Sequence, residues 1–109
     1  MTDVDDLHFT DIPGLRGLRL ARVGQSDGKT LDVIEGAEHV VIPAMTHPSG
    51  ESGRVVQGSL RFMREGVVTV LHAGDTWRVE ANEHQGPHVV LENGTRIALL
   101  RDGASAFDA

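Results

Sequence analysis

The chain has no cysteine. That excludes a disulfide scaffold, an iron–sulfur site, a thiol nucleophile and a Cys-rich zinc module. No apolar run approaches the roughly 18 residues that a membrane-spanning helix needs. The opening segment, MTDVDDLHFT, has neither a basic stretch nor an apolar one, so it does not read as a signal peptide, and a cytoplasmic location is expected. Aromatic residues are scarce, only Phe9, Phe62, Trp77 and Phe107, so the core has to come from Val, Leu and Ile. Positive charge is also scarce. Ten Lys and Arg against sixteen Asp and Glu give a net charge of −6, which disfavours a nucleic-acid backbone as partner. Asp3, Asp5, Asp6 and Asp11 concentrate acid at the start, as a solvated tail or an edge strand.

What the chain does have is turn chemistry. With 109 residues and thirteen glycines it reads as a single domain over 1–109, its core at about 20–101 with short tails. Short apolar runs alternate with turn signals, the spacing of an all-β sandwich or barrel. Candidate strands cover Gly17–Gly24, Thr30–Ile34, His39–Ile42, Ser59–Arg64, Val67–Leu71, Thr76–Val79, His88–Glu92 and Thr95–Leu100. Two hairpins are expected, around Glu65-Gly66 as a tight connection between two apolar runs and around Asn93-Gly94, where both residues tolerate positive φ. No segment of ten or more residues keeps a 3.6-residue apolar period, so no long helix is expected. Eight or nine strands point to a jelly roll or a small barrel.

Met45-Thr46-His47-Pro48-Ser49-Gly50-Glu51, with Gly58 after six further residues, stands where the cupin family carries its first motif, G-x5-H-x-H-x3–4-E-x6-G. The stretch from Gly74 to His84 resembles the second, G-x5-P-x-G-x2-H-x3-N, with the Gly74 spacing one residue short. The chain therefore resembles a cupin over roughly Val33 to Arg101. The departures are Met45 for the first histidine, His39 for the leading glycine, Val79 for the proline, Ala81 for the second glycine and His88 for the asparagine.

The resemblance implies a double-stranded β-helix, a small homodimeric cupin of the RmlC-like type, with His47, Glu51 and His84 as ligands. Two imidazoles and one carboxylate are also, by residue type alone, a set that suits Fe(II) with open positions, and Fe, Mn, Ni or Zn are all compatible. His88 lies four residues beyond His84 and, on an extended segment, returns to the same face. It stands either as a further ligand or as a hydrogen-bond donor in the pocket. Met45, Leu60, Phe62 and Trp77 are the candidate pocket walls. His8, His39 and His72 have no partner at ligand spacing and read as structural or surface residues, and Arg61, Arg78 and Arg96 alternate outward.

Gly24-Gln25-Ser26-Asp27-Gly28 matches G-x-S-x-G, but a polar turn and a strand follow it rather than a helix, so it reads as a hairpin loop. Two functions are expected from this reading. One is a metal-dependent small-molecule enzyme, dioxygenase- or isomerase-like by family analogy. The other, which Met45 favours, is a non-catalytic cupin that binds or senses a small ligand with a degenerate or absent metal site.

Overall fold

A computed structural model describes residues 7–103. Among them there is no helix, and ten strands form: β1 (Thr10–Asp11), β2 (Leu18–Ser26), β3 (Lys29–Gly36), β4 (Val41–Ile42), β5 (Glu51–Gln57), β6 (Ser59–Arg64), β7 (Val67–His72), β8 (Thr76–Val79), β9 (His88–Val90) and β10 (Thr95–Arg101). They make two antiparallel sheets, one of six strands in the order β1-β2-β3-β10-β5-β8, the other of four in the order β4-β9-β6-β7. The all-β expectation holds. Of the acidic leader, Asp11 is exposed on the edge strand β1, and Asp3, Asp5 and Asp6 lie outside the described residues.

Period-2 alternation sets which side chains face inward. On β6, Leu60 and Phe62 are buried; on β10, Thr95, Ile97 and Arg101 are. Both sheets supply the core, with Leu18, Ile34, Val55 and Ile97 from the six-stranded one and Leu60, Phe62 and Val90 from the other. Burying each such side chain stabilises the fold by roughly 1.5–3 kcal/mol. The inward positions of β5 are Glu51, Gly53 and Val55. Only the last is a large apolar residue, so this central strand shows no alternation in the sequence.

Two connections are tight hairpins. Asp27-Gly28 joins β2 to β3 with φ of 53° and 74°, and Glu65-Gly66 joins β6 to β7 with φ of 50° and 77°. Both central residues of each are left-handed, the requirement of a type I′ turn. The first of these contains the G-x-S-x-G match, which is a hairpin loop. Asn93-Gly94 is different and corrects the expectation. β9 pairs with β4 and β6, whereas β10 pairs with β3 and β5, so this turn carries the chain from one sheet to the other. Gly94 alone has positive φ, at 79°, so the backbone cannot close the two-residue hairpin that would pair β9 with β10.

Candidate functional site

The polar residues gather where strand ends of the two sheets meet. His47 precedes β5 and Glu51 opens it; Arg101 closes β10, and in register it stands opposite Glu51. Gln85 lies just before β9, and His88 is the first residue of that strand. Together with Met45 and Trp77 these side chains line a cavity of about 30 Å³ whose remaining walls are Ile34, Ile42, Leu60, Ile97 and Leu99. A water molecule needs about 10–15 Å³, so the space takes two or three.

The hydrogen bonds inside this wall settle proton positions. The Met63 backbone N–H donates to His88 Nδ1 at 3.1 Å. Nδ1 therefore carries no proton. Nε2 carries it and donates to Gln85 Oε1, also at 3.1 Å. The Gln85 amide hydrogen-bonds Glu51, and the Arg101 guanidinium donates to Glu51 Oε2. The chain thus runs from the Met63 amide through His88 and Gln85 to Glu51, where Arg101 closes it.

Burial pushes the His88 imidazole down to about 4, helped by the charge of Arg64, so it is neutral at pH 7. The Phe62 ring stacks on it with centroids 4.4 Å apart at 12°. His47 is also held below its ordinary value, by burial first and the Arg101 charge second. Glu51 is pushed up, because burial outweighs the pull of Arg101 and of the Gln85 hydrogen bond.

His47, Glu51, His88, Met45, Leu60 and Trp77 all line the cavity. Phe62 stands behind it, packed on His88 and on Trp77, and it lines an outer groove with Thr69 and Leu71. His84 is exposed and lines no part of the cavity. His8, His39 and His72 are exposed. The parity argument that paired His84 with His88 fails because the intervening backbone is not an extended strand. Gly86 is left-handed at φ 89°, and Gln85 bridges to Met45 and to Arg64.

Sequence reasoning missed Gln85 and Arg101. Gln85 had a signal. Counted strictly from Gly74, the second motif puts its proline on Glu80, its second glycine on Asn82 and its histidine on Gln85. Asn82 has φ of 64°, the conformation a motif glycine would adopt, and its N–H donates to the His47 carbonyl at 2.6 Å. The spacing that looked one residue short is a frame set one residue too early. Arg101 had only the inward parity it shares with Ile97 and Leu99.

These residues do not fit a divalent metal. His88 has both ring nitrogens engaged, Glu51 is bound by Arg101 and Gln85, His84 is outside, and Met45 offers only a soft thioether. Among the described residues no three of His, Cys, Asp and Glu are grouped to hold a metal ion.

A sequence model described as the cupin domain matches residues 31–100. The chain belongs to the cupin family. Its fold resembles that of KdgF from Halomonas sp., with 20% identity, 94% of each chain covered and a TM-score of 0.84. It also resembles an RmlC-like cupin from Shewanella frigidimarina NCIMB 400, with 21% identity, 96% of this chain and 91% of that one covered, and a TM-score of 0.81. The polyketide cyclase RemF from Streptomyces resistomycificus is 17% identical over 93% of this chain and 78% of its own, with a TM-score of 0.74. These likenesses identify the fold as the cupin jelly roll. Among functionally curated proteins none matches the sequence.

Proposed function

We propose that this cupin binds a small organic molecule inside its barrel without a resident metal ion. The observation that carries this reading is the closed hydrogen-bond chain, which commits His88, Gln85 and Glu51 to one another and to Arg101. A metal-dependent dioxygenase or isomerase needs those lone pairs free. What remains is a mostly apolar cavity with a few oriented polar groups, the usual composition of a small-molecule site. The test is elemental analysis of protein purified without a metal-affinity tag and then dialysed against Fe(II), Mn(II), Ni(II) and Zn(II) in turn. No stoichiometric metal is expected. One equivalent per chain, lost on Glu51→Ala, overturns the reading.

The same reading includes a homodimer. Val41, Val68 and Val70 are exposed on the edge strands β4 and β7 of the four-stranded sheet. Light scattering at micromolar concentration is expected to give the mass of two chains, and Val70→Asp to return it to one. A monomer in the unmodified protein removes this part.

A further inference from the structure

The polar groups of the cavity divide into those that are committed and those that are not. Glu51, Arg101, Gln85 and His88 satisfy one another. The His47 ring has no hydrogen-bond partner among the described residues. Two buried side-chain nitrogens also lack one, Arg64 Nε and Trp77 Nε1. Arg64 Nε lies 2.8 Å from Glu83 Oε2 and is compensated by that charge. Nothing compensates Trp77 Nε1, and a buried N–H left without an acceptor is a standing cost that a ligand oxygen relieves.

The Trp77 ring forms part of the cavity wall and is fixed by its neighbours. It stands opposite Gly53 on the neighbouring strand, and a Cβ on Gly53 would lie 2.2 Å from Cε2, the ring atom bonded to Nε1. Only glycine leaves room for the six-membered ring of the indole to lie across β5, the strand that carries Glu51. The ring packs on Phe62 at 5.1 Å and forms part of the cavity wall.

We infer that the ligand of this site is a compact, uncharged, mainly apolar molecule with one acceptor oxygen, an alcohol or a carbonyl compound, bound by the Trp77 N–H and the His47 ring. The inference rests on the metal-free reading above. Charge excludes the ionic alternatives. Glu51 and Arg101 neutralise each other, so an entering carboxylate or ammonium would lose its water and find no free counter-charge. Size requires compactness, since the cavity of about 30 Å³ has to widen to admit more than a few heavy atoms. Met45, half-buried, unbranched and flexible, is the wall able to yield.

The experiment uses cyclopentanol, cyclopentanecarboxylate and cyclopentylammonium as probes on the full chain. Trp77 is the one tryptophan and there is no tyrosine, so the indole N–H resonance and the intrinsic fluorescence both report this wall alone. Cyclopentanol is expected to shift the indole N–H resonance saturably, and both charged analogues to bind at least about tenfold more weakly. Trp77→Phe keeps a ring and removes the N–H; calorimetry should show cyclopentanol affinity reduced about five- to tenfold. Met45→Ala should tighten binding. Stronger binding of the carboxylate, an unchanged affinity in Trp77→Phe, or no binding to either the unmodified protein or Met45→Ala overturns the inference. Metal content is measured on the same samples. Absent alcohol binding without metal removes the ligand class alone, whereas stoichiometric metal removes the metal-free reading itself.

Discussion

Glu51 on β5 and Arg101 on β10 stand opposite each other in the antiparallel register and form a buried ion pair, with 5% and 6% of their side chains exposed. The carboxylate that the first cupin motif supplies is thereby tied to a guanidinium from a neighbouring strand of the same sheet. Removing one partner leaves a buried charge uncompensated. Arg101→Met is expected to destabilise the protein by about 3–5 kcal/mol, read from urea unfolding. The double variant Glu51→Met/Arg101→Met should recover most of that loss, because an apolar pair costs nothing to desolvate. If the double variant is no better than the single, the pair is not the source of the effect.

Acid stability should report His88. Its folded pKa of about 4 lies below the ordinary 6.5, so between those values the unfolded chain holds a proton that the folded chain refuses. Its contribution is complete above pH 6.5 and is lost as the pH falls toward 4, by up to about 3 kcal/mol. His47 is lowered too and acts in the same direction, whereas the raised Glu51 acts in the opposite one. His88→Phe should lower the melting temperature at pH 7, since the Met63 N–H and Gln85 Oε1 lose their partner, and should flatten the decline between pH 6.5 and 4. An unchanged slope would show that another group causes it.

The frame of the second motif is testable with two adjacent residues. His84→Ala, at an exposed position, should change stability by less than about 0.5 kcal/mol. Gln85→Ala should cost about 1–3 kcal/mol, because it leaves the Glu51 carboxylate and the His88 Nε2–H short of partners. Equal effects at the two positions would contradict the assignment.

Gly53→Ala tests how Trp77 is seated. The added methyl would stand 2.1 Å from Cζ2, so the indole must move. A loss of about 1–3 kcal/mol is expected, together with a red-shifted tryptophan emission as the ring is displaced toward water. An unshifted spectrum would mean that the ring does not lie on Gly53.

Much of this was legible locally. The all-β class follows from alternation, and the Glu65-Gly66 hairpin from a glycine between two apolar runs, signals that act within a few residues. His47, Glu51 and Met45 stand where the first cupin motif would place its histidines and carboxylate, and all three line the cavity. The inward alternation of Leu60 and Phe62 was also readable, and both are buried.

Two features lay beyond the sequence because each depends on which strands become neighbours, and a third was legible only in the right frame. Asn93-Gly94 has the residues of a hairpin, yet β9 and β10 enter different sheets, a choice made by pairing with β6 and β3 far away in the chain. Gln85 replaces His84 at the cavity, as the strict count from Gly74 indicates, because the loop between Val79 and His88 abandons strand parity, and the bridges of Gln85 to Met45 and to Arg64 bring it back into the fold. Arg101 reaches Glu51 across fifty positions, and that contact turns a candidate ligand into half of an ion pair. The sequence determined the residue types of the site and the class of fold. Tertiary structure decided which lone pairs stay free, since hydrogen bonds between distant strands consume them, and period and spacing along one strand carry no record of that.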